Sequence, residues 1–109
     1  MNSELIKALE QVQKMQEEVS KAQEALGAIT ASSESGGGMV KVTANGKGQI
    51  ISVHLEREVI DPKEQEMLED LVVAAANRAL AKAKELADEK MSNVASSLLP
   101  NIPGLSLKK

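Results

Sequence analysis

Phenylalanine, tryptophan, tyrosine and cysteine are all absent from this chain of 109 residues. Without aromatic rings, the interior has to be filled by Leu, Ile, Val, Met and many Ala. That palette suits helices packed closely through small side chains better than a voluminous core. The same absence removes the platform on which unpaired bases stack, which argues against a single-strand binder. Lack of cysteine excludes disulfides and thiolate chemistry and fits a reducing cytoplasm. Near the N-terminus Leu5-Ile6 is the one apolar pair, and no run approaches the length of a bilayer span. The expectation is a soluble cytoplasmic chain with neither signal peptide nor transmembrane helix, and with no membrane partner.

Catalytic residues are equally scarce. His54 is the single histidine; it alternates with apolar positions on an expected strand, with no nucleophile or metal partner beside it in sequence, and reads as an outward-facing strand residue. Glu64, Glu66, Glu69 and Asp70 crowd the first turns of an expected helix, where carboxylates favour the helix dipole, so they need no metal to explain them. The glycine run at 36–38 lacks the Lys-Ser/Thr ending and the helix start of a phosphate-cradling loop. The chain is therefore expected to be no enzyme, with no cofactor, metal or small-molecule substrate.

What the sequence does contain is two long helical patterns around a short β segment. The first helix is expected from about Ser3 to Leu26, with Leu5, Leu9, Val12, Val19 and Leu26 in a stripe of three- and four-residue steps completed by Gln16 and Gln23. The segment G-G-G-M-V-K-V-T-A-N-G-K-G at 36–48 breaks this pattern. Val40, Val42 and Ala44 alternate with Lys41 and Thr43, Asn45-Gly46 offers residues that tolerate positive φ, and Gly48 adds freedom before the chain returns. The return strand is Gln49 to Glu56, with Ile51, Val53 and Leu55 expected to share one buried face with the preceding strand. A further strand at Ile29 to Glu34 makes three, since two alone are marginal. Asp61, Pro62 and Glu64 form a capping-box start for a second helix, carried to Met91 by Leu68, Leu71, Val72, Ala75, Ala79, Ala83 and Leu86. Ala75, Ala79, Ala83 and Ala87 form a ladder of small side chains that admits a close neighbour. The fold class is α+β in the order α-β-β-β-α: a long N-terminal helix, a small antiparallel three-stranded sheet and a long C-terminal helix. Residues 1–91 form one domain, and 92–109, with Pro100, Pro103, Gly104 and the apolar Leu98, Leu99, Ile102, Leu105 and Leu107, read as a flexible tail.

These motifs together resemble the YbaB/EbfC family of bacterial nucleoid-associated proteins. The resemblance is carried by the glycine-framed segment at 36–48, by Asp61-Pro62 and by M-L-E-D-L-V-V-A-A-A-N-R-A at 67–79, with the Leu-Pro and Pro-Gly pieces of the tail agreeing. It implies a homodimer whose sheets form a body and whose helices project like tweezers. It also implies binding to double-stranded DNA with little sequence preference, localisation on the nucleoid, an influence on gene expression, and recombination or replication proteins as further partners.

Charge constrains how such binding could work. The formal net charge is −3, and residues 1–28 carry five acids against three bases, residues 61–91 eight against five. Phosphate contact has to come from local rows of cations and to be modest and salt-dependent. Lys7, Lys14 and Lys21 recur every seven residues, stems about 10 Å apart along a helix; Arg78, Lys82 and Lys84 cluster on the second helix. These six are the expected DNA contacts, with Lys41, Lys47 and Lys108-Lys109 as lesser candidates. Glu10 and Glu17, four residues before Lys14 and Lys21, equally fit a solvated ion-pair face. An alternative function is a dimeric protein–protein adaptor using the apolar stripe and the Leu-rich tail, with DNA binding secondary.

Overall fold

A computed structural model describes residues 2–98 of the chain. The element order is the expected one: α1 Ser3–Ala25, β1 Thr30–Ser35, β2 Val40–Asn45, β3 Ile50–Leu55 and α2 Gln65–Leu98, with short 3-10 turns at Leu26–Ala28, Arg57–Val59 and Pro62–Glu64. Asn2 starts α1 by accepting a hydrogen bond from the Glu4 N–H at 3.0 Å, and neither Gly nor Pro interrupts the helix before Gly27.

The sheet is an antiparallel meander in the order β1-β2-β3. Gly36, Gly37 and Gly38 turn β1 into β2 with φ of 62°, 69° and 94°. Three successive left-handed residues are a conformation that side chains resist, which explains the glycine triplet. The second hairpin departs from expectation. Positive φ falls on Gly48 at 79°, and neither Asn45 nor Gly46 adopts it. Asn45 instead holds the loop through its side chain: Oδ1 accepts from the N–H groups of Lys47 and Gln49 at 3.0 and 3.1 Å, and Nδ2 donates to Gln49 Oε1 at 2.8 Å. With the Gly48 N–H donating to the Asn45 carbonyl at 3.1 Å, this is a turn closed by a left-handed glycine bulge. Gly46 is small for a different reason. Its N–H is shared between the carbonyls of Leu26 and Ile29 at 3.0 and 2.9 Å, and a Cβ there would stand 2.7 Å from Leu26 O and 3.2 Å from Ala87 Cβ.

The core consists of Val40, Val42, Ala44 and Val59 against Ala75, Ala79 and Ala83 of α2. The alanine ladder lets α2 approach the sheet closely over β1 and β2, where Ser33 and Ser35 are buried beneath it. Ser35 Oγ donates to the Leu71 carbonyl at 2.6 Å, which satisfies the hydroxyl inside that contact.

Three expectations are corrected. β3 shares the buried face of β2 only at its end: Leu55, opposite Val40, packs against the core, whereas Ile50, Ile51 and Val53 are 46, 51 and 47 % exposed, because α2 covers the other two strands and most of β3 lies beyond it. A bulge adds to this, with Thr43 opposite Ser52 and Ala44 opposite Ile50, so that Ile51 is the extra residue. The capping box is half-formed. Asp61 Oδ1 accepts from the Lys63 N–H at 3.0 Å, but the Asp61 N–H donates to Val59 O, leaving no reciprocal bond for Glu64, and the first turn is 3-10. Finally, α2 continues past Met91 to Leu98; serines and Asn93 weaken the helical pattern there without breaking it, and no proline occurs between Met91 and Pro100. The rest of the expected tail lies outside the described residues.

The molecule is long and thin, with extents of 74 × 30 × 15 Å and a radius of gyration of 21.0 Å, against about 13 Å for a compact chain of 100 residues. At 1.5 Å per residue α2 is about 51 Å long and α1 about 35 Å. The two helices meet only through the C-terminal half of α1, where Glu18, Lys21, Ala22 and Ala25 face Lys90, Val94, Ser97 and Leu98 across a groove of about 310 Å³. The N-terminal half of α1 projects as an arm, with Leu5, Leu9 and Val12 about half exposed.

Candidate nucleic-acid interface

The arm carries two opposed faces. Each of Lys7, Lys14 and Lys21 is two residues from a member of the apolar stripe, about 200° around the helix. The lysines therefore form one row and Leu5, Leu9, Val12 and Val19 the opposite one. Covering the apolar row leaves the cations in solvent. Lys21 approaches Glu18 at 3.9 Å, with both side chains exposed, rather than the expected Glu17. Where the arm meets α2, Lys90 lines the same groove as Lys21. This half-buried lysine extends the row onto the second helix. It was missed in the sequence because it follows the acidic Glu85, Asp88 and Glu89 and belongs to no repeat.

The three expected cations of α2 divide into two groups. Arg78 Nη1 donates to the Glu34 carbonyl at 2.8 Å and Lys82 Nζ to the Ser32 carbonyl at 3.3 Å, so both lie across the outer edge of β1. Lys84, two residues on and about 200° around the helix, faces away from them and pairs with Asp88 at 2.7 Å. The hydrogen bond to Asp88, and then its charge, hold the Lys84 ammonium above the ordinary lysine value of 10.5. The six residues thus form an arm row, an edge pair and an isolated ion pair within one chain, and not a continuous patch.

The remaining candidates have local settings. Lys41 stands on the polar outer face of the sheet between its cross-strand neighbours Glu34 and His54. The Lys47 stem lies over Gly27, 3.5 Å from where a Cβ would sit. His54 is exposed, as expected, with Nε2 3.4 Å from Glu56 Oε1. Gln65 Nε2 donates to Glu69 Oε2 at 3.0 Å, and among the described residues no group of His, Asp and Glu is arranged to hold a metal ion. Lys108 and Lys109 lie outside the described residues. No helix among the described residues is long and apolar enough to cross a membrane.

An arm, a small sheet and a long spine helix, with the cations on the helices, define a helix-and-sheet scaffold protein built for contact with another macromolecule. The chain belongs to the YbaB/EbfC DNA-binding family, whose model matches residues 1–98; it is a family of binding proteins and not of enzymes. Its relatives include a nucleoid-associated protein of Pelotomaculum thermopropionicum, 43% identical over 105 residues, which cover 96% of this chain and 98% of that one. Another, from Thermodesulfovibrio yellowstonii, is 50% identical over 99 residues, 90% of this chain and 87% of the relative. Among solved structures, that of an uncharacterized protein from Helicobacter pylori superposes with a TM-score of 0.56 at 25% identity, covering 81% of this chain and 98% of that one.

Proposed function

We propose that the protein is a nucleoid-associated homodimer that binds duplex DNA with little sequence preference, altering its conformation and thereby nucleoid organisation and gene expression. The observation that carries the reading is the lysine row of Lys7, Lys14 and Lys21 on a projecting arm, opposite an apolar stripe. Lysine ammonium groups on flexible stems engage phosphates as point charges and carry little base information. Lys90 continues the row. Arg78 and Lys82 each spend one donor on the β1 edge and Lys84 one on Asp88, so each of these three meets phosphate with its remaining donors only.

Dimerisation is supported by the apolar surface a single chain leaves uncovered. Ile50, Ile51 and Val53 lie on an edge strand, and the stripe of α1 adds Leu5, Leu9 and Val12. An open apolar edge is a template for a second chain. Two copies then present two arms, which supplies the local cation density that a net charge of −3 per chain withholds.

A mobility shift over a salt series, on duplexes of unrelated sequence, tests the proposal. Retention at low salt that falls steeply with ionic strength, and equally for each duplex, is the expected result. The exposed apolar row of the arm favours a second reading, an adaptor for recombination or replication proteins. No retained duplex at any salt, with salt-insensitive capture of such a protein, would replace the first reading with the second.

A further inference from the structure

The two edges of the sheet are treated in opposite ways. β3 shows apolar side chains at its edge, whereas at the edge of β1 two cations from α2 occupy the backbone. In an antiparallel pair, successive residues turn both their N–H and C=O alternately toward and away from the partner strand. The Ser32 and Glu34 carbonyls that receive Lys82 and Arg78 are therefore the outward ones. The match is one of pitch: four residues of helix advance about 6 Å and two residues of strand about 6.8 Å. With α2 running antiparallel to β1, the contacts Leu71 to Ser35, Arg78 to Glu34 and Lys82 to Ser32 follow in order. The alanine ladder makes this possible by bringing α2 close enough for both side chains to reach over the strand.

We infer that Arg78 and Lys82 close the β1 edge against pairing with a second copy of this chain, so that copies meet through the β3 side and assembly stops there. A strand adding to β1 would need the two carbonyls that these side chains occupy, and it would have to displace two charged donors into the space it enters. One closed and one open edge give a finite oligomer, whereas two open edges would let sheets extend without end. The closure of β1 is independent of the homodimer reading above; the role of β3 rests on it.

The test is light scattering over a concentration series without DNA. The wild type is expected to hold a constant mass, whereas R78A/K82A should rise above that mass increasingly with concentration. E34P added to the double variant should bring the mass back to the wild-type value. The Glu34 N–H points outward, so proline there removes an edge donor and leaves the β1–β2 ladder intact. Far-UV circular dichroism verifies folding, and R78A alone, expected to show a smaller rise, serves if the double variant is unfolded. A variant mass equal to wild type across the series would overturn the inference, as would a raised mass that E34P leaves unchanged. A monomeric wild type would instead count against the homodimer reading and leave the comparison of variants valid.

Discussion

Replacing Lys7, Lys14 and Lys21 with glutamine should flatten the salt dependence of DNA binding more than it disturbs the fold. All three side chains are on the exposed face of α1, and glutamine is about as good a helix former as lysine. Each lysine that neutralises a phosphate contributes about 0.9 to the slope of log K against log salt, so three contacts contribute about 2.7. Between about 50 and 200 mM salt, that slope alone corresponds to a roughly 40-fold loss of affinity, and two engaged arms would square it to more than 10³-fold. Fluorescence anisotropy of a labelled duplex, titrated at several salt concentrations, reads the slope directly. The triple variant is expected to bind more weakly at low salt and to lose less affinity as salt is raised. An unchanged slope with unchanged affinity would remove the arm from the DNA interface, and a lower affinity at constant slope would mean that the lysines act on folding or dimerisation instead.

Charges placed on the open sheet edge test the dimer: V53D or I51D should give a monomer by light scattering while keeping the helical circular dichroism of the parent, since neither residue belongs to the core of one chain. G46A should cost about 1–3 kcal/mol in urea unfolding, because the added carbon overlaps a backbone oxygen that cannot move freely. G48A has open space around it and a φ of 79°, so its cost is the backbone strain alone, about 1–2 kcal/mol; a G46A midpoint at the wild-type value would refute the close-approach reading. Lys84 gains its raised pKa from Asp88, so its ion pair is intact at neutral pH and is lost only as pH rises beyond the ordinary 10.5. In D88N the Lys84 Cε resonance should titrate at lower pH than in the parent, and an unmoved titration would show that Asp88 is not the cause.

Much of the scaffold was legible because it depends on local rules. The period of α1, the alternation of Val40, Val42 and Ala44, the glycine triplet and the alanine ladder each specify their element without reference to distant residues. The burial of β3 was not legible. Alternation reports that a strand has an apolar face, but what covers that face depends on where α2 crosses the sheet, and here the crossing stops at β2. Gly46 illustrates the same limit. Asn-Gly suggests a turn requiring positive φ, yet its glycine answers a tertiary contact with Leu26 and Ala87. The lysine row could be read as a row because helical geometry fixes it. The edge contacts of Arg78 and Lys82 could not, since their carbonyl partners lie 44 and 50 residues away in sequence.

The projecting half of α1 has a thermodynamic consequence of its own. Residues 3–14 are exposed throughout, so their helix is held by the Asn2 cap, intrinsic propensity and continuity with the packed half. A helical segment of that length is marginal in water on its own terms. The arm should therefore open by fraying from its tip, with amide exchange fastest at the N-terminus and slowing toward Ala22, where α2 first buries it. A duplex gripping the lysines would have to order this segment. Part of the attraction would then go into conformational entropy, and the arm would grip as a compliant finger, able to follow duplexes of differing curvature at modest affinity.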